Sequence, residues 1–121
     1  MTPVLIENFS KKIKIKNNNN MEPFKVIIVE DVPLELKGTE GIFKNEIPEA
    51  EIIGTAESEI SYWRLIKQQV PDLVLLDLGL GGSTTIGVEI CRQTKETYPA
   101  VKVLIFTGEI LNELSLIHIS E

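Results

Sequence analysis

Leu73–Leu76 (LVLL), followed at once by Asp77, is the stretch whose reading decides the fold. Four consecutive apolar residues lie between Pro71 and the loop LGLGGS, the pattern of a short strand buried on both faces. Such a strand delivers Asp77 at its C-terminal end. Working outward, Phe24–Val29 (FKVIIV) is a second apolar run, rich in β-branched residues, and it ends in Glu30 and Asp31. Val101–Phe106 (VKVLIF) is a third, ending at Thr107 and Gly108. Ala50–Ala56 (AEIIGTA) completes the set, with Gly54 as a weak point in its interior.

Helical patterns separate these runs. Around Pro33, the positions Val32, Leu36, Thr39 and Phe43 fall on one face, interrupted by Gly38 and Gly41, each costing about 1 kcal/mol relative to alanine. Pro48 closes that segment. Glu57–Gln69 predicts a second helix with Ile60, Trp63, Ile66 or Lys67, and Val70 along its inner side, stopped by Pro71. Thr84 or Thr85 opens a third, whose inner face is Ile86, Ile90, Cys91, Thr94 and Tyr98, with Pro99 at its exit. A last helix is expected near Glu109. Strands alternating with helices predict βαβ units, a parallel sheet and right-handed crossovers that cover both faces.

Composition narrows the function. The 121 residues leave room for one domain. No apolar run reaches the roughly 20 residues of a membrane span, so a soluble chain is expected. The N-terminus has only a brief apolar patch and no small-residue cleavage site, which predicts a cytoplasmic location. Cys91 is the single cysteine, which excludes a disulfide framework or a thiolate metal cluster. Residues 1–20 carry four lysines (Lys11, Lys12, Lys14, Lys16) against Glu7, and the remaining 8 basic and 17 acidic residues leave −9 on the rest. So acidic a domain would repel a phosphate backbone, and direct nucleic-acid binding is not expected. Residues 1–22 read as a disordered leader, with Met21, just after the Asn17–Asn20 run, as the expected natural start.

In an open parallel sheet the ligand crevice lies at the C-terminal ends of the strands. Glu30, Asp31, Asp77 and Thr107 all fall at that end, on three different strands. One aspartate at a strand end is ordinarily a helix N-cap, and one acidic pair is ordinarily solvated loop. Both at the tips of neighbouring central strands point to shared chemistry. Three gathered carboxylates need a counter-ion or raised pKa values. Oxygen-only ligands favour a hard cation such as Mg²⁺, which binds one or two carboxylates and keeps positions open for a phosphate oxygen.

VIIVEDVPLE, DLVLLDLGL and VKVLIFTGE, in that order and spacing, resemble the response-regulator receiver family of two-component signalling over about Phe24 to Glu109. The resemblance implies a flavodoxin-like doubly wound α/β sheet with strand order 2-1-3-4-5. It implies that Asp77 is the phospho-acceptor, that Glu30 and Asp31 hold Mg²⁺ with Asp77, and that the Gly79 backbone carbonyl is a further metal ligand. Thr107 matches the switch hydroxyl. The implied partner is a sensor histidine kinase, whose phosphohistidine Asp77 attacks. The product is an acyl phosphate that the domain forms and loses by its own chemistry, controlling an output by conformational switching. A DNA-binding effector domain outside this chain is an implied target.

The sequence also departs from that pattern. Four residues after Asp77 the family usually has proline, where this chain has Gly81, and the helix-opening glycine is Gly87, two residues later than usual. A longer, more mobile loop is expected. The lysine that ends a parallel fifth strand has no counterpart, since no Lys or Arg follows Lys102. Only 8 residues separate Thr107 from Leu116, too few for a parallel crossover of about a dozen or more. Strand 5 and the last helix are therefore expected to be missing, giving a partial receiver over 23–113. Residues 114–121 (LSLIHISE from Leu114 onward, after Glu113) resemble a translated sequencing-adaptor read-through, a non-native tail in which His118 has no role. Residues 116–119 could still add a makeshift strand at the exposed edge of the fourth strand, whose apolar VLIF invites pairing. A poorly stable, weakly phosphorylated fragment is the resulting expectation.

Rival functions are a pseudo-receiver that signals by protein contacts alone, favoured by the absent lysine but opposed by the intact acidic triad, and an aspartate-nucleophile phosphatase, which would want its acidic motif on the first strand. A flavodoxin is disfavoured because Glu30 and Asp31 would repel a flavin phosphate. The LGLGGS loop lacks GxxxxGK[ST], so nucleotide binding is not expected. Trp63 and Cys91 read as packing residues.

Overall fold

A computed structural model describes residues 23–82, 84–106 and 116–118. The leader 1–22, Thr107, the helix expected near Glu109 and most of the 114–121 tail lie outside the described residues.

Four parallel strands form the sheet: β1 (Phe24–Val29), β2 (Ala50–Ala56), β3 (Leu73–Asp77) and β4 (Lys102–Phe106). Their spatial order is β2-β1-β3-β4, as the flavodoxin-like reading expects. Helices α1 (Pro33–Glu46), α2 (Glu59–Gln68) and α3 (Thr84–Thr97) connect them. No parallel fifth strand is present among the described residues. Its place beside β4 is taken by a short antiparallel strand, β5 (Leu116–His118), with Ile105 opposite Ile117. Nine intervening residues allow a return in the opposite direction but not a crossover.

Alternation along the strands sorts the core into two layers. Ile27, Val29, Val74, Leu76, Val103 and Ile105 point to the α2/α3 side, where they meet Tyr62, Ile66, Ile90 and Cys91. Val26, Ile28, Leu73, Leu75 and Leu104 point to the α1 side and meet Phe43 and Ile47. Each such burial contributes about 1.5–3 kcal/mol, so the strands themselves dominate the stability. The β1–β2 register skips one residue, Val26 pairing with Ile52 and Ile27 with Gly54. At that irregularity β2 runs close beneath α2: a Cβ on Gly54 would lie 2.6 Å from Leu65 Cδ2. The weak point noticed in the sequence is thus a place of close approach.

The second helix differs from its expected phase. Ile60 is 71% exposed and Val70 is also open, whereas Tyr62 is completely buried beside Ile66. Two things set the rotation. Ser58 caps the helix by accepting from Ser61 N–H at 3.2 Å, while Ser61 Oγ accepts from Ser58 N–H at 3.1 Å. The Tyr62 hydroxyl then meets Thr94 Oγ1 at 2.8 Å, so a polar tip can be buried where an aliphatic side chain was expected. In α1, Thr39 and Phe43 are buried as expected, but Val32 sits at the N-cap and is exposed. The inner face of α3 is as read, with Ile90, Cys91 and Thr94 buried.

Candidate functional site

The register of the central strands sets the site. Val29 pairs with Leu76, so Glu30, just past β1, and Asp77, the last residue of β3, lie side by side at the C-terminal edge of the sheet. Glu30 N–H still bonds to the Ala56 carbonyl at 2.9 Å, which holds the end of β1 against β2. Glu30 is 1% exposed and Asp77 4%. Asp31 is the most open of the three acidic residues. One carboxylate oxygen from each of Glu30, Asp31 and Asp77 lies within 4.8 Å of the others.

Few donors serve these oxygens. Val32 N–H donates to Glu30 Oε2 at 3.0 Å, and Gly79 N–H donates to Asp77 Oδ1 at 3.0 Å. Glu30 Oε1 is buried with no hydrogen-bond partner among the described residues. An orphaned buried carboxylate oxygen is costly unless a proton or cation meets it. Burial pushes the Glu30 carboxyl up to about 8; the Val32 N–H opposes this, and the charges of Asp77 and Glu35 add to it. Glu35, in the first turn of α1, is a contributor that sequence reasoning passed over. Its position five residues after Glu30, just inside a proline-started helix, was the available signal.

The loop after Asp77 makes several contacts. Leu80 is buried, Gly82 N–H donates to the Gly79 carbonyl at 2.9 Å, and Gly81 N–H reaches Asp31 Oδ2 at 3.1 Å. Gly81 and Gly82 take left-handed backbone (φ 70° and 78°), which glycine adopts freely. Gly87 lets α3 start against the strand: a Cβ there would be 3.2 Å from the Leu78 carbonyl oxygen and 3.4 Å from that of Asp77.

Glu30, Asp31 and Asp77, singled out in the sequence, are thus brought together, and Gly79 lies against Asp77. Its carbonyl accepts from Gly82 and has a second lone pair left. Thr107 falls outside the described residues. The donor set is oxygen only, anionic and closely spaced, with one buried oxygen unpartnered, and it fits a hard divalent cation such as Mg²⁺. No helix among the described residues is long and apolar enough to cross a membrane.

Comparison with other proteins identifies the family. The family model for the response regulator receiver domain matches residues 26–116. The methanol utilization control regulatory protein MoxX of Paracoccus denitrificans is 28% identical over 90 residues, 74% of this chain and 40% of that protein. The transcriptional regulatory protein DegU of Brevibacillus brevis is 30% identical over 88 residues, 73% of this chain and 36% of that protein. The chain therefore spans well under half the length of these relatives. Among solved structures, a LuxR-family two-component response regulator from Aurantimonas sp. superposes with a TM-score of 0.63 at 27% identity, covering 71% of this chain and 59% of that one. Fold, acidic crevice and matched sequence lead to one assignment: this chain belongs to the response regulator receiver domain family.

Proposed function

We propose that the domain accepts a phosphoryl group on Asp77 from a phosphohistidine donor, with Mg²⁺ held by Glu30, Asp31, Asp77 and the Gly79 carbonyl. The observation that carries this reading is the meeting of three carboxylates within 4.8 Å, one of them with an orphaned buried oxygen, at the C-terminal edge of a parallel sheet. Gly79 N–H fixes one oxygen of Asp77, and the other attacks phosphorus. The P–N bond breaks, its electron pair returns to the imidazole nitrogen of the donor, and an aspartyl phosphate remains. When bound, the cation neutralises charge on the phosphoryl oxygens. Val32 N–H keeps Glu30 facing the crevice. The chain's own contribution is positioning and electrostatics. Thr107 is assigned the switch hydroxyl that follows the new charge.

The donor is inferred to be a sensor histidine kinase, acting in the cytoplasm. Because a relative named as a transcriptional regulatory protein is matched over only 36% of its length, the output is inferred to be a DNA-binding effector. Incubation with a small phosphodonor and Mg²⁺ tests the central claim. The wild type should gain one phosphoryl group by intact mass, and Asp77→Asn should gain none; undiminished labelling of the variant refutes it.

A further inference from the structure

Gly81 N–H donates to Asp31 Oδ2 at 3.1 Å, a contact between positions 50 apart in the chain. Asp31 is the most open of the clustered carboxylates, and an open aspartate has several rotamers within easy reach. Only some of them bring its oxygens near Glu30 and Asp77. A backbone donor held in place selects among them, as partners behind a metal ligand commonly do. The donor lies in a closed turn: Leu80 is buried just before it, and Gly82 N–H bonds to the Gly79 carbonyl at 2.9 Å. The path is one that only glycine follows without strain, since a Cβ on Gly81 would also lie 2.9 Å from Ile86 Cδ1. Proline at this position could supply neither the φ nor the N–H.

We propose that Gly81 is a positioning residue for the acidic site. Its N–H holds Asp31 in the rotamer that faces Glu30 and Asp77, and thereby sets the affinity of the site for a divalent cation. The donor is a neutral dipole, so it orients Asp31 without cancelling its charge. A lysine in the same place would orient it and also compete with the cation. The inference deepens the proposed function and rests on it for the identity of the cation.

Mg²⁺ binding to the full chain, measured by calorimetry, provides the test. Gly81→Pro removes the N–H. Gly82→Ala strains the same turn at φ 78° with nothing within 4 Å of the added Cβ, and it leaves the Gly81 N–H in place. Gly81→Pro should weaken Mg²⁺ binding about tenfold, the low end for loss of a ligand's supporting partner. Gly82→Ala should weaken it no more than about twofold. Equal loss in both, or none in Gly81→Pro, overturns the proposal. A second measurement leaves the loop sequence intact and decides the matter should Gly81→Pro fail to fold. Exchange of the Gly81 amide proton, followed by NMR, should be several-fold faster in Asp31→Ala than in the wild type; unchanged exchange overturns the proposal. Neither readout involves phosphoryl transfer. An Asp77 that takes no label while this binding pattern holds sinks the proposed function alone, and normal labelling with Mg²⁺ affinity indifferent to Gly81→Pro sinks only the present inference.

Discussion

Glu30 and Asp77 end neighbouring strands at the same level, and both carboxyl groups are almost wholly buried within 4.8 Å of each other. Two anions held so closely oppose folding unless a proton or a cation separates them. The site is therefore a local source of instability within an otherwise apolar sheet, as functional sites commonly are.

Stability in the absence of metal should fall as pH rises. Glu30 is raised from 4.5 to about 8, first by burial and then by Asp77. Between those values the folded chain binds more protons than the unfolded chain, so this group's contribution is complete below 4.5 and is lost as pH passes through about 8. Mg²⁺ binds only the folded chain and prefers the ionised carboxylate, so it should offset the loss most at the alkaline end. Melting curves across this range, with chelator and with excess Mg²⁺, check both statements. A chelated protein that grows more stable toward pH 8 contradicts the first.

Above about pH 8, where Glu30 is ionised, Asp77→Asn should stabilise the metal-free protein by about 1 kcal/mol, contrary to the usual effect of changing a buried residue. The amide keeps the shape and the acceptor for Gly79 N–H while removing one of two facing charges. Urea denaturation in chelator measures the change, and a lower midpoint in the variant refutes the electrostatic account.

Tyr62→Phe should cost about 1–3 kcal/mol, because Thr94 Oγ1 would be left without its 2.8 Å partner inside the core. Phosphodonor labelling of the folded variant should be unchanged, since the pair lies on the α2/α3 side and away from the acidic crevice. A loss below about 0.5 kcal/mol would mean that water or a rotated Thr94 replaces the bond.

Gly54→Val should destabilise by about 1–3 kcal/mol through overpacking against Leu65. Combining it with Leu65→Ala should recover part of that loss, because the clash is with the tip of this one side chain. A double variant as unstable as the sum of the single changes would place the strain in the β2 backbone instead.

Much of the fold was legible because strands buried on both faces leave continuous apolar runs, and prolines and glycines mark their limits. FKVIIV and AEIIGTA became strands at their expected bounds, LVLL became a strand one residue longer that takes in Asp77, and VKVLIF became a strand from its second residue. The acidic trio was legible for a related reason. Parallel strands end at one edge, so carboxylates just past those ends must converge. The face of α2 was less legible, because helical spacing around Ile60 and Trp63 is satisfied by more than one phase, and a hydroxyl on Thr94, 32 residues away, selected Tyr62.

Taken alone, the sequence determined the order of elements, the parallel sheet and the gathering of Glu30, Asp31 and Asp77, all consequences of local pattern and chain direction. Tertiary structure decided the register of β5 on β4, the closeness of Gly54 to Leu65 and the reach of the Gly81 amide to Asp31. Each of these depends on where a distant segment comes to rest, and no periodicity within a dozen residues encodes a contact made 50 residues away.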